Sequence, residues 1–215
     1  MRAHSMLMVM LAGVSLAACD SNANDEMLMG GWVRMRTPTE VRDRYVFGAD
    51  GSFQFDENKP GDPDNEDHLV GRYIAEGDVV TATVSDAATG QQGRLTFSYY
   101  ANKTQFSSAA LRAAAGHNGF VGVWTGTRKI ELTDGSEGPS GADVQVDVRA
   151  DGTYRLTRTP VDGTAPAVEA GTWHAEDDAT VRFTTASGFG HTLALLDDEA
   201  LVDQSSIWQR KTNGI

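Results

Sequence analysis

The sequence predicts an all-β protein, folded as two tandem small antiparallel β-barrels behind a secretory signal. Three observations carry that prediction. Short runs alternate apolar and polar residues; Asp-Gly and acidic turns separate them; and four sequence blocks recur in the same order roughly one hundred positions later. Composition sets the outer bounds. A chain of 215 residues allows one large or two small domains, and 40% hydrophobic residues suffice for a core. A net charge of −12 argues against nucleic acid, whose phosphates demand a basic footprint. One cysteine excludes internal disulfides and cysteine-rich metal sites.

The chain opens MRAHSMLMVMLAGVSLAAC. Arg2 supplies a positive start, and Met6 to Ala18 is a charge-free apolar run. It is shorter than the ~20 residues of a spanning helix and suits a secretory signal. Leu16-Ala17-Ala18-Cys19 resembles the bacterial lipobox, which implies lipidation at Cys19, the new N-terminus. The resemblance implies a membrane anchor made of lipid, with several acyl chains because one alone holds weakly. Asp20 resembles the inner-membrane retention signal of enteric lipoproteins, a lineage-dependent rule that leaves inner or outer membrane undecided. The expected order is signal 1–18, lipidated tether 19–29, first barrel 30–112, linker 113–121, second barrel 122–210 and tail 211–215.

The repeat defines the two barrels. Gly30-Gly31-Trp32 with Arg36 parallels Gly122-Val123-Trp124 with Arg128. Ala49-Asp50-Gly51-Ser52-Phe53 parallels Ala150-Asp151-Gly152-Thr153-Tyr154. Gly71-Arg72-Tyr73 parallels Gly171-Thr172-Trp173, and Ser107-Ser108 with Arg112 parallels Ser205-Ser206 with Arg210. The offset is 92 for the first block and 101, 100 and 98 for the rest, which places extra residues in a loop within 131–143. Two copies of this length are a domain duplication rather than a solenoid. The stretch from Ala113 to Gly119 is expected to be a short helical or coiled linker.

Within each copy the strands declare themselves by period. Val144-Gln145-Val146-Asp147-Val148 sets valines on one face, and Leu95-Thr96-Phe97-Ser98-Tyr99 does the same. Such alternation favours antiparallel pairing with one wet face. Asp50-Gly51 and Asp151-Gly152 are hairpin signals, because glycine takes the positive φ of a tight turn. Acidic turns at Glu76-Gly77-Asp78, Glu176-Asp177-Asp178 and Asp197-Asp198-Glu199 separate further strands. Six or more strands per copy close best into a small barrel, which removes exposed edges. Trp32, Tyr73, Trp124 and Trp173 are the expected packing anchors. Arg36 and Arg128 are expected to stack on aromatic rings at a barrel end, or to bind an anion.

The G-x-W strand, the A-D-G-[ST]-[FY] hairpin and the G-x-[WY] strand resemble bacterial lipocalin-like lipoprotein domains. The second copy is most similar to the N-terminal barrel of NlpE-type envelope lipoproteins, over roughly 90 residues. The resemblance implies a lipocalin-like barrel and anchoring at the cell envelope. That family's C-x-x-C pair is missing here: the corresponding loop reads Thr133-Asp134-Gly135-Ser136-Glu137-Gly138. The copper-thiolate chemistry linked to that pair therefore does not transfer.

A search for catalytic motifs is negative: there is no G-x-S-x-G, H-E-x-x-H, phosphate-cradling Gly-Lys loop or helix-opening G-x-G-x-x-G. His68, His117, His174 and His191 lie far apart and read as surface or loop residues. An acidic stretch, residues 56–68, places Asp62, Asp64 and Glu66 at calcium-ligand spacing. It lacks the glycine and distal glutamate of a calcium loop, so a solvated acidic loop is expected and no metal is assigned. The expected role is non-catalytic: binding or scaffolding for an envelope protein partner, without cofactor, held to the membrane through Cys19. The alternative is a carrier of a small apolar ligand inside one barrel. The discriminator is the interior, since packed rings exclude a ligand and an open apolar cup admits one. An envelope hydrolase or inhibitor is a third, weaker reading.

Overall fold

In a computed structural model the protein is described over residues 25–37, 40–57, 68–132 and 140–211. A one-turn helix, α1 (Asp25–Leu28), leads into strands β1 (Gly30–Thr37), β2 (Glu40–Phe47), β3 (Ser52–Glu57), β4 (His68–Glu76), β5 (Val79–Asp86) and β6 (Gln92–Ser98). Three short strands follow: β7 (Tyr100–Ala101), β8 (Gln105–Ser107) and β9 (Leu111–Ala113). The remainder is β10 (Gly122–Leu132), β11 (Ser140–Val148), β12 (Thr153–Pro160), β13 (Ala167–Ala175), β14 (Thr180–Thr185), β15 (Gly190–Leu196), β16 (Ala200–Asp203) and β17 (Ile207–Arg210). The all-β expectation holds, and every strand pairing is antiparallel. Residues 114–121 are turns and an isolated bridge, with no helix.

Eight strands close a ring. From β10 the order runs β11, β12, β13, β14, β15, β16, β9 and back to β10. A second run of sheet orders β8, β17, β1, β2, β3, β4, β5 and β6, with β7 on the outer side of β8. β6 then pairs with the far end of β10, from Phe97 opposite Arg128 to Gly93 opposite Leu132. β10 therefore serves both parts. Strand pairing also crosses both expected barrel boundaries. β17, the last of the described strands, pairs with β1 and β8, while β9 pairs with β10 and β16. Each half ends in a strand that lies in the other half's wall.

Side chains explain this crossing. Trp208 of β17 is buried with its ring centroid 5.3 Å from that of Tyr45 and 5.5 Å from that of Phe106. Arg210 lies over the Trp32 ring at 4.4 Å and donates to the carbonyl of Met29 at 3.1 Å. On the other side Leu111 packs into the core around Trp124. A small third cluster, Tyr100, Ala110, Ala200 and Val202, fills the space where the two walls meet.

The repeated blocks have matching local chemistry. Trp32 and Trp124 are both fully buried, and each indole N–H donates to the carbonyl four residues earlier, Leu28 at 2.7 Å and Phe120 at 2.9 Å. Gly51 and Gly152 carry the positive φ of their turns, 79° and 83°. Asp50 and Asp151 accept from the amides of Ser52 and Thr153. The Tyr73 and Trp173 side chains both donate to a turn carbonyl, that of Gly48 and of Arg149. Gly71 and Gly171 sit so close to the carbonyls of Thr83 and Thr184 that any Cβ would clash.

Candidate ligand-binding site

The interiors of the two halves differ, and the difference begins in residue size. The first is filled by rings. Tyr45 lies at its centre, with centroids 4.6 Å from Phe55, 5.4 Å from Phe106 and 5.3 Å from Trp208. Phe47, Phe53, Tyr73 and Phe97 complete the packing. The second interior uses smaller residues: Val144, Val146 and Val148 from β11, Leu156 from β12, Leu193 from β15 and Leu201 from β16. They leave a cavity of about 310 Å³.

Strand period gives that cavity a gradient. Residues two apart on a strand face the same way. Along β12 the inward series is Tyr154, Leu156, Arg158; along β15 it is Leu193 then His191; along β16 it is Leu201 then Asp203. Glu169 of β13 joins them. The deep wall is therefore apolar, and the rim carries Arg158, Glu169, His191 and Asp203. Phe120, Trp124, Val148 and Val181 fill the opposite end of the ring. Trp124 is fixed there by its bond to Phe120 and by the edge of His117 at 5.4 Å. At the rim, exposed Phe189 meets the His191 ring edge-on at 4.8 Å.

One polar pair reaches into the cup. The Tyr154 hydroxyl donates to Glu169 at 2.8 Å. Burial first, then this bond to an anion, raises the Tyr154 phenol well above its ordinary range. The shift holds the proton on the phenol, the donor in its bond to Glu169. Such a pair is neutral at one end and anionic at the other, facing an otherwise apolar wall.

The sequence-predicted residues fall in several places. Cys19, Asp20, Asp62, Asp64 and Glu66 lie outside the described residues, as does the side chain of Arg36. Arg128 lines a separate cavity at the mouth of the first half. Ring stacking is carried by other arginines: Arg34 over Trp208, Arg112 over Tyr100 and Arg210 over Trp32. Arg128 is not among these, and the stacking expected of Arg36 falls on a side chain outside the described residues. The histidines are not assembled: His68 pairs with Asp56, His117 meets the Asp198 carbonyl at 2.9 Å, His174 is exposed and His191 sits at the cup rim. Among the described residues no three His, Cys, Asp or Glu side chains converge as a metal site, and no helix is long and apolar enough to cross a membrane. The cup itself was not marked in the sequence beyond its alternating valines and leucines.

Comparisons with protein-family models, with curated proteins and with solved structures find no match to this chain. The fold and cup define its class: an all-β protein with an eight-stranded antiparallel closed barrel and extra strands.

Proposed function

We propose that the chain is an envelope lipoprotein, anchored through Cys19 on the periplasmic side of a bacterial membrane, whose second barrel holds a small apolar ligand. The observation that carries this reading is the contrast of interiors: one half is packed with rings, and the other keeps an apolar cup of about 310 Å³. That volume is at the small end of ligand pockets, which run from about 300 Å³ upward. It suits a single ring system or a short acyl chain. The charged rim would face a polar head group. The repeat, together with matched hydrogen bonds in both halves, supports two lipocalin-like barrels of duplicated origin. The motifs shared with NlpE-type domains support the same reading, without the thiol chemistry. Protein scaffolding, the rival role, needs no cup.

Binding of N-phenyl-1-naphthylamine to the whole chain after the signal tests the proposal. Saturable fluorescence enhancement is expected, and it should be lost on Leu156→Trp or Leu193→Trp, which fill the cup. Enhancement that survives both substitutions would move the role to scaffolding. For the anchor, Cys19→Ala should leave the protein soluble in the periplasm or uncleaved at the membrane. A mature-length, membrane-bound Cys19→Ala protein would overturn it.

A further inference from the structure

The first half contains a second, chemically different cavity of about 180 Å³. It is lined by Arg34, Asp43, Glu57, Arg128, Ser108 and Trp208, with Tyr45, Phe55 and Leu69 forming an apolar side. Asp43 is 1% exposed and Trp208 is 4% exposed. Arg34 pairs with one Asp43 oxygen, Oδ2, and lies over the Trp208 ring at 4.9 Å. Arg42 reaches the same oxygen at 3.7 Å. The other oxygen, Asp43 Oδ1, has no hydrogen-bond partner among the described residues, and neither do Arg34 Nε and Trp208 Nε1. Ser108 Oγ is a fourth such atom; buried polar atoms are satisfied in the great majority of cases, so four unmet ones in the lining of one cavity call for a reason.

The unmet demands are of both kinds. Trp208 Nε1 and Arg34 Nε are donors that need an acceptor; Asp43 Oδ1 is an acceptor that needs a donor. Arg128, exposed at the edge of the cavity, adds a second cation. The charges of the lining balance, Arg34 and Arg128 against Asp43 and Glu57. A simple anion would meet the buried Asp43 carboxylate; a simple cation would meet the arginines. We propose that this cavity binds a small zwitterion, a free α-amino acid. Its carboxylate is taken by Trp208 Nε1, Arg34 Nε and Arg128, its ammonium by Asp43 Oδ1, and a short side chain lies against Phe55 and Leu69. The site adjoins the apolar cup at Ala109, which lines both, and takes a ligand of opposite character.

The test is thermal denaturation of the whole chain after the signal, titrated with a panel of the twenty amino acids. Propionate and propylamine serve as single-charge controls. At least one amino acid should raise the midpoint saturably, by about 5 °C or more well above its dissociation constant. Each control should shift it by less than a degree or so. Trp208→Phe keeps the ring and removes the donor; Arg128→Gln changes an exposed residue and leaves the core intact. Both should weaken the response at least tenfold in half-saturating concentration, while Leu156→Trp in the cup should leave it unchanged. Failure of every amino acid to shift the midpoint, or a shift retained in both Trp208→Phe and Arg128→Gln, would overturn the proposal. Equal shifts with propionate or propylamine would overturn it as well. None of these outcomes depends on naphthylamine binding, so the two sites stand or fall separately.

Discussion

Tyr100 and Asp197 join the two halves through one side-chain bond, the phenol donating to the carboxylate, with Asn102 donating to the same oxygen at 3.0 Å. Burial first, then the bond to Asp197, pushes the Tyr100 phenol up to about 12. Accepting from Tyr100 and Asn102 holds the Asp197 carboxyl below its ordinary value. The folded state binds the phenol proton more tightly than the unfolded chain does. Its contribution is therefore whole below about pH 10 and lost as pH rises toward about 12. The carboxylate acts in the opposite direction: its contribution is whole above about pH 4 and lost as pH falls further. Thermal midpoints should hold a plateau in between and decline on both sides. Tyr100→Phe should lower the plateau and flatten part of the alkaline decline, Tyr45 and Tyr154, whose phenols burial also raises, keeping the rest. An unchanged alkaline limb in Tyr100→Phe would refute the assignment. Gly71→Ala and Gly171→Ala should each cost about 2 kcal/mol or more in denaturant melts, because the new methyl meets a backbone carbonyl that cannot move aside. At this scale the sequence was informative: Trp32, Trp124, Gly51 and Gly152 are placed by motif, and their partners follow from local turns. Asp43, Tyr154 and Glu169 were not legible, because what sets them apart is burial beside residues remote in the chain.

Elements were legible wherever apolar residues alternate. The runs 144–148 and 95–98 lie in strands with Val146, Val148, Leu95 and Phe97 turned inward, Tyr99 falls just past the end of β6, and the acidic turns fall between strands as expected. The short strands β7, β8 and β9 were not legible, being two or three residues long. Nor was the exchange of β9 and β17, since period fixes which face a strand buries and says nothing about which edge it joins. The exchange predicts how the chain can be cut. Residues 109–206 contain all eight ring strands, whereas 120–210 lacks β9 and leaves β10 and β16 without their shared neighbour. Far-UV spectra and cooperative melts should show 109–206 folded and 120–210 much less stable. The reverse order would contradict the ring. Truncation after Ser206 should expose β1 and β8 and remove Trp208 from the rings around Tyr45. Hydrogen exchange should then rise across β1–β8 first, with protection kept in β11–β14.

Across the whole molecule the two interiors differ, one built around rings and the other keeping an apolar cup. The cleft where the halves meet is held by charge: Arg112 reaches Glu199 at 3.3 Å and Asp78 at 3.8 Å while lying over Tyr100. Asp78 belongs to the β4–β5 turn, and Glu199 to the β15–β16 turn. Arg112→Ala should therefore leave each core intact and lower the midpoint by a few degrees, with the effect diminished in high salt because these pairs are partly solvated. Chain order adds a further consequence. One neighbour of β1 is β2, available as soon as it is made, but the other is β17, made only after the ring strands β9 to β16. During synthesis β1 must wait with one edge bare until β17 has been made, whereas the ring from β9 to β16 needs nothing later than itself. Folding is thus timed by β17: the ring translated second closes first, and the half begun first is sealed only when β17 joins it.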